Sequence, residues 1–289
     1  MNMDTCLTPD GRSVEFMTAG DVAGDTVVYI HGTPGSGLLM SSFSEQASTR
    51  GLFLIGITRA GYGGSTRRAA RSVADFVDDV RCVLDHLGRG SYVAIGWSGG
   101  GPHAIACAAV DPQCRQAISL AGVAPVVDDF DWTEGMGPEN VEEFARAREG
   151  GPEYEASMAQ AAKELAAMTG DTIIEVFGGL ISSVDAASMS DPAVRASMAE
   201  SLAYGVSAGP GGFIDDDQAF LRDWGFNLRD IATPVTLFYG DEDLMVPATH
   251  GHYLAKTLPN VTAHHLAPEG HISIPLNFLP EIFDAIIPA

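Results

Sequence analysis

Cations are the scarcest feature of this sequence. Its 289 residues hold 16 Lys and Arg against 38 Asp and Glu, a net charge of −22. Such a chain repels polyanions, and no basic patch interrupts the acidity beyond Arg67-Arg68 and Arg71, which excludes nucleic acid as a partner. Anionic membrane surfaces are disfavoured for the same reason, and no apolar run is long enough to cross a bilayer, so no membrane partner is expected. The N-terminus, Met1 to Arg12, lacks the basic segment and apolar core of a signal peptide. Cysteine is sparse too. Cys6, Cys82, Cys107 and Cys114 are scattered without metal-ligand or redox spacing, and Cys82 and Cys107 fall in apolar helical patterns as small core residues. These absences point to a cytoplasmic protein with free thiols, no metal and no cofactor. The acidity itself reads as a device for solubility.

What is present is a core. Hydrophobic residues make up 46% and charged ones 19%, the balance of a soluble globular chain long enough for one large α/β domain with or without an insertion. Ser13 to Thr18 alternates like a half-exposed strand after an Asp10-Gly11 turn. Thr26–Ile30, Leu52–Ile57, Tyr92–Ile95 and Gln116–Ala121 are continuous apolar runs, as in strands buried on both faces. Ser72–Leu87 carries Val73, Phe76, Val77, Val80, Val83, Leu84 and Leu87 on one helical face, with Ser72 as N-cap and Gly88 as stop. The alternation predicts a doubly wound, mostly parallel sheet, with ligands bound at the carboxyl ends of its strands.

From Val123 to Leu228 the pattern changes. No buried strand is apparent, 141–148, 154–168 and 193–204 read as helices, and 20 of the 38 acidic residues lie here. The expected division is a core of 1–122 and 229–289 with a helical cap inserted at 123–228. The core resumes with a strand at Pro234–Tyr239, a helix at 249–258, a strand at Val261–Leu266 and a last helix at 277–287.

The stretch with the most chemistry is Ser91 to His103. The run Tyr92–Ile95 meets Gly96-Trp97-Ser98-Gly99-Gly100, and a helix follows. A serine at the apex of so tight a turn has a strained backbone and an exposed hydroxyl, and glycines two before and two after it let strand and helix approach. The Gly99 amide and the positive helix end lie beside the serine oxygen, ready for an oxyanion.

This stretch resembles the nucleophile elbow of the α/β-hydrolase family, and the likeness extends over about the whole length. The family's chain order of serine, acid and histidine implies Ser98 as nucleophile, Asp243 in Gly240-Asp-Glu-Asp-Leu-Met-Val-Pro247 as acid, and His271 in Gly270-His271 as base. Asp241 competes with Asp243, and Asp128 or Asp129 is a more distant third. The family places the acid three residues after the glycine, which selects Asp243. His31-Gly32-Thr33-Pro34-Gly35 resembles the family's His-Gly-x-Pro-Gly loop, implying Thr33 and Gly99 as the oxyanion hole, with His31 supporting the loop. Arg59-Ala-Gly-Tyr-Gly-Gly-Ser65 resembles its Arg-Pro-Gly-x-Gly-x-Ser segment, with Ala60 in place of proline, and reads as structural. Trp97, Trp132, Trp224 and Phe226 are expected to line an apolar substrate pocket.

The expected function is hydrolysis of an ester of a small, apolar substrate through an acyl-enzyme, without metal or cofactor. Serine at position 98 disfavours the branches whose nucleophile is a carboxylate. The alternatives are an aminopeptidase resembling the proline iminopeptidases, a carbon–carbon bond hydrolase or lyase, and a binding protein without turnover. The expected partner is a small-molecule substrate, and a homodimer is the one assembly left open.

Overall fold

The computed structural model describes residues 3–288. Eight strands form one sheet: β1 (Asp4–Leu7), β2 (Ser13–Gly20), β3 (Asp25–Ile30), β4 (Leu52–Thr58), β5 (Tyr92–Trp97), β6 (Cys114–Leu120), β7 (Val235–Gly240) and β8 (Val261–Leu266). Their spatial order is β1-β2-β4-β3-β5-β6-β7-β8. The joints β1–β2 and β2–β4 are antiparallel and the rest parallel. This is the doubly wound architecture that the alternation of elements predicts. The short β1, with only Cys6 buried, gives too weak a pattern to read in sequence.

The strands alternate side chains between two cores, as the pleat requires. Val28, Ile30, Ile55, Ile57 and Ala94 face one helical layer, in which α2 (Phe76–His86) and α3 (Gly100–Val110) bury Val80, Leu84, Ala104 and Ile105. Val27, Tyr29, Leu54, Val93, Ile95 and Leu120 face the other, built on Phe43 and Ala47 of α1 (Ser41–Thr49) and on distal Ile282 and Phe283. Between β6 and β7 run only helices among the described residues: α4 (Pro138–Glu149), α5 (Gly151–Ala166), α6 (Ile173–Phe177), α7 (Ser183–Ser188), α8 (Pro192–Gly205) and α9 (Gly211–Phe220). Then follow α10 (Ala248–Thr257), α11 (Ser273–Asn277) and α12 (Leu279–Asp284).

Two expected helices are shorter than their apolar patterns. Helix α2 starts at Phe76, because the Ser72 amide and hydroxyl are both taken by the Asp75 carboxylate and the Ala74 amide donates to the Trp224 carbonyl. The last helix, expected over 277–287, spans only Leu279–Asp284 as α12; Pro280 in its first turn has no amide to join it to the separate α11 before it.

Register decides where chemistry collects. Ile30 stands beside Ile57 and Gly96, Trp97 beside Leu120, Leu120 beside Phe238, and Gly240 beside Leu266. The carboxyl ends of β3, β5, β6, β7 and β8 therefore form one edge, and the loops that follow them leave side by side.

Candidate active site

Ser98 occupies the turn between β5 and α3 with φ at +56°, in the left-handed region that side chains avoid. Such a conformation costs on the order of 1–3 kcal/mol and persists only where its surroundings fix it. Here the Ser98 amide donates to the Leu120 carbonyl at 2.8 Å and its carbonyl accepts from Gly101 at 2.8 Å. The flanking glycines are required sterically. A Cβ at Gly96 would sit 2.0 Å from the Gly100 carbonyl oxygen, and one at Gly100 would sit 2.2 Å from that of Ile30.

The loop after β3 lies against this turn. A Cβ at Gly99 would fall 2.2 Å from Thr33 Oγ1, which measures how closely the two segments approach. Among the described residues no acceptor takes the amide of Thr33 or of Gly99. The Thr33 hydroxyl donates to Asp216 Oδ2 at 2.7 Å and accepts from Arg59 Nη2 at 2.8 Å. Both ring nitrogens of His31 are engaged: Nδ1 meets the Gly32 carbonyl at 2.7 Å, and Nε2 accepts the Arg59 amide at 3.0 Å. Burial, and then the Arg59 charge, hold its pKa well below the ordinary histidine value, so it stays neutral.

On the far side of the serine, His271 Nδ1 lies 2.8 Å from Asp243 Oδ2. The other oxygen, Oδ1, accepts the Met245 and Val246 amides at 2.9 and 2.7 Å, and both side chains are 1% exposed. Burial works against a charged His271, but the Asp243 charge and hydrogen bond, with Asp185 behind them, raise its pKa above the usual value. The indole of Trp97 donates to the His271 carbonyl at 3.1 Å and its ring lies 5.6 Å from the imidazole. The competing acids are placed elsewhere. Asp241 pairs with His265 on the surface at 2.6 Å, and Asp128 and Asp129 are exposed.

Ser98, Gly99, Thr33 and His271 share the lining of one cavity of about 300 Å³, together with Trp97. Of the four aromatic residues expected there, Trp97 alone belongs to the lining. Trp132 packs edge-on to Phe144 and donates to the Ala124 carbonyl, while Trp224 and Phe226 pack on each other. The two tryptophans sit in the core with their N–H bonded to the Ala124 and Phe220 carbonyls, and Phe226 is packed against that core. The aromatic lining comes instead from Tyr29, Phe144, Phe177, Phe213 and Phe220.

Two site-supporting residues lie in the helical segment and escape sequence reasoning. Asp185 of α7, fully buried, accepts the His271, Ile272 and Ser273 amides at 3.2, 2.8 and 2.8 Å, and so caps the start of α11 and fixes the histidine loop. Asp216 of α9, also fully buried, accepts from Thr33, Arg59, Tyr62 and Arg71. Burial alone would raise its pKa, but the Arg59 and Arg71 charges reverse this and hold it well below the carboxylate range. Arg59 in turn donates to the carbonyls of His31 and Gly32, so the Arg59 motif braces the loop after β3. His103 sits behind the elbow, its Nδ1 on the Gly99 carbonyl at 2.7 Å, and lies outside the cavity lining. The capping-box pattern Ser182-x-x-Asp185 is a legible signal for a helix start, but not for what its carboxylate reaches.

Comparison with known proteins agrees with this fold. The family described as alpha/beta hydrolase fold matches residues 25–278. A pimeloyl-[acyl-carrier protein] methyl ester esterase of Chromobacterium violaceum is 25% identical over 250 residues, 86% of this chain and 87% of that protein. Among solved structures, a bromoperoxidase from Bacillus anthracis superposes with a TM-score of 0.71 at 18% identity, covering 98% of each chain. An esterase from Rhodococcus superposes with 0.69 at 19% identity, covering 99% of this chain and 100% of that one. At such identities the superpositions bear on the fold alone. No helix among the described residues is long and apolar enough to cross a membrane.

Proposed function

The chain belongs to the α/β-hydrolase fold family, and within it we propose a carboxylester hydrolase that works through Ser98, His271 and Asp243. One observation carries the reading. A serine held in a left-handed turn shares a cavity with an Asp243-bonded histidine and with two amides that have no acceptor among the described residues.

A serine hydroxyl needs a base, and the base needs an orienting acid. His271 Nε2 takes the Ser98 proton as Oγ bonds to the ester carbonyl carbon. The negative charge that gathers on the carbonyl oxygen is met by the Thr33 and Gly99 amides. His271 returns the proton to the leaving alkoxide, leaving an acyl-enzyme. Water, deprotonated by His271, then releases the acid and restores Ser98. Asp243 holds the imidazole in the tautomer whose Nε2 is free to accept, and the two amides bonded to Asp243 Oδ1 hold Asp243 itself. Each oxyanion donor is worth about 3 kcal/mol of transition-state stabilisation. We read 123–228 as a cap, because α4, α5, α6, α8 and α9 all contribute to the cavity wall. The expected setting is cytoplasmic, with a small-molecule substrate and no cofactor.

The test is labelling by a fluorophosphonate, followed by turnover of p-nitrophenyl acyl esters beside a prolyl p-nitroanilide. Wild type labels and Ser98→Ala does not, and esters are the better substrates. Absence of labelling in wild type refutes the serine mechanism. Amide turnover far above ester turnover replaces the esterase with an aminopeptidase.

A further inference from the structure

Tyr29 gives the cavity a polar group that ester cleavage does not use. Its side chain is 8% exposed, stacks at a tilt on Phe43 with ring centroids 5.0 Å apart, and belongs to the apolar layer that Met40 and Trp97 flank. Its hydroxyl has no hydrogen-bond partner among the described residues. It is not sealed in the core either, and Tyr29 lines the cavity, so the hydroxyl opens onto it.

Three other buried tyrosines mark the contrast. Tyr62, Tyr92 and Tyr154 each donate to a carboxylate, at 2.8, 3.0 and 2.6 Å. A buried phenol without a partner forfeits the hydrogen bonds it made in water, unless a ligand restores them. The rest of the lining holds no second free neutral group of this kind. His31 and Thr33 serve the loop after β3, Asn140 donates to the Met245 carbonyl at 3.2 Å, and Ser201 meets Ser36 at 3.0 Å. Burial holds the Tyr29 hydroxyl above its ordinary pKa, so it remains a neutral donor and acceptor.

The strand register places this group at depth. Tyr29 stands beside Ile95, and Ser98 comes three residues later, about 10 Å farther along the strand direction at about 3.3 Å per residue. A cavity of about 300 Å³ holds on the order of ten non-hydrogen atoms, taking about 30 Å³ for each as for water in the liquid. A substrate that fills it from Ser98 inward brings its far end toward Tyr29.

We infer that the Tyr29 hydroxyl is a specificity group at the inner end of the Ser98 cavity, and that it selects esters bearing a second oxygen, as hydroxyl or carbonyl, remote from the bond that is cleaved. The phenol donates to that oxygen, and the chain between the two oxygens lies against the apolar wall. A group built to bond a substrate oxygen discriminates against the analogue that lacks it. The inference rests on the esterase reading for which bond is broken; binding of the second oxygen does not require turnover.

Two measurements separate these claims. In the full-length Ser98→Ala protein, with and without Tyr29→Phe, calorimetry compares binding of methyl ω-hydroxyhexanoate with that of methyl heptanoate, which replaces the hydroxyl by a methyl. With Ser98 intact, kcat/KM is compared for the same pair, and for ω-hydroxyhexyl acetate against heptyl acetate, which moves the hydroxyl to the alcohol side. Tyr29→Phe lowers the ratio of hydroxyl to methyl member about tenfold in binding and in at least one kinetic pair, as expected for one buried hydrogen bond. A binding ratio that shifts while no ester turns over upholds the specificity group and removes the esterase. Turnover with every ratio left within about twofold by Tyr29→Phe keeps the esterase and overturns the specificity group. The variant loses no internal hydrogen bond, so it melts no lower than wild type. A fall of more than about 2 °C, the cost of one hydrogen bond in a chain of this size, means that the hydroxyl is bonded within the protein and also overturns the inference.

Discussion

Replacing Asp216 by asparagine removes one charge and no volume, so the change isolates what that carboxylate holds together. In the native protein it accepts from Arg59 Nη2 at 2.6 Å, Arg71 Nη2 at 2.5 Å, Tyr62 at 2.8 Å and Thr33 Oγ1 at 2.7 Å. Both arginine side chains are almost wholly buried. Breaking a buried ion pair from one side typically costs about 3–5 kcal/mol, because the partner charge is left uncompensated. The lower figure applies here. Arg59 keeps the His31 and Gly32 carbonyls, and Arg71 keeps Asp215 at 3.2 Å. With about 2.1 cal/mol/K of unfolding entropy per residue, 289 residues give about 0.6 kcal/mol per degree, so a loss of about 3 kcal/mol lowers Tm by about 5 °C. The Thr33 hydroxyl also loses its carboxylate partner and keeps only Arg59 Nη2, which loosens the backbone that places the Thr33 amide.

Catalysis should therefore fall at least about tenfold, mainly in kcat, because the loss is felt when the oxyanion forms and not when substrate binds. The assay is a calorimetric melt alongside steady-state ester kinetics. Glu142→Gln is the control, since it breaks an exposed i,i+4 pair with Arg146 worth about 0.5 kcal/mol or less and moves Tm by about 1 °C at most. An Asp216→Asn protein that melts within one degree of wild type and keeps its kcat would refute the idea that α9 braces the oxyanion loop.

The histidine–acid pair, the elbow glycine and one pair of thiols each carry a further expected outcome. His271 must be neutral to act as base and its pKa is raised, so kcat/KM falls with acid through an inflection above the free-histidine value of about 6.5; an inflection at or below it contradicts the Asp243 pairing. The proton that His271 holds also favours the folded state fully below pH ~6.5, and this contribution fades as pH rises through the higher folded-state pKa. Asp243→Asn removes the raising partner and the tautomer lock together, lowering kcat about 10⁴-fold, with unchanged kcat pointing to another acid. Gly99→Ala drives a methyl to 2.2 Å from Thr33 Oγ1 and 3.0 Å from Phe220, and displacing one oxyanion donor costs roughly 10²–10³ in kcat, read against ester turnover. Cys6 and Cys82, remote in sequence, bring their sulfurs to 2.8 Å while all four cysteines are free thiols. Diamide should leave two titratable thiols, and closing that loop should add about 4 kcal/mol and raise Tm; four thiols remaining after oxidation exclude the contact. The Cys6 thiol, pushed up to about 12 chiefly by burial, makes the reaction slow at neutral pH.

The parts of the site that sequence reveals are those whose reasons are local. Glycine spacing around Ser98, a buried strand before it and a helix after it belong to one short segment. Asp243 follows the fully buried run of β7, and His271 follows the half-exposed β8 paired beside it. Residues that act across the chain leave no such trace: Asp185 reaches a loop 86 residues away, and Asp216 reaches Thr33 at a separation of 183. Their segment is rich in acids, and nothing in composition separates a bracing carboxylate from a solubilising one. The run Asp215-Asp216-Asp217 shows why. On a helix, successive side chains turn by about 100°, so three identical neighbours face three environments. Asp215 meets Arg67 at 2.8 Å, beside a side chain 49% exposed. Asp216 enters the arginine-lined interior behind the oxyanion loop. Asp217 meets a phenol and the cavity. One turn of α9 thus joins an ion pair with a half-exposed arginine, a brace for the loop after β3 and part of the cavity wall.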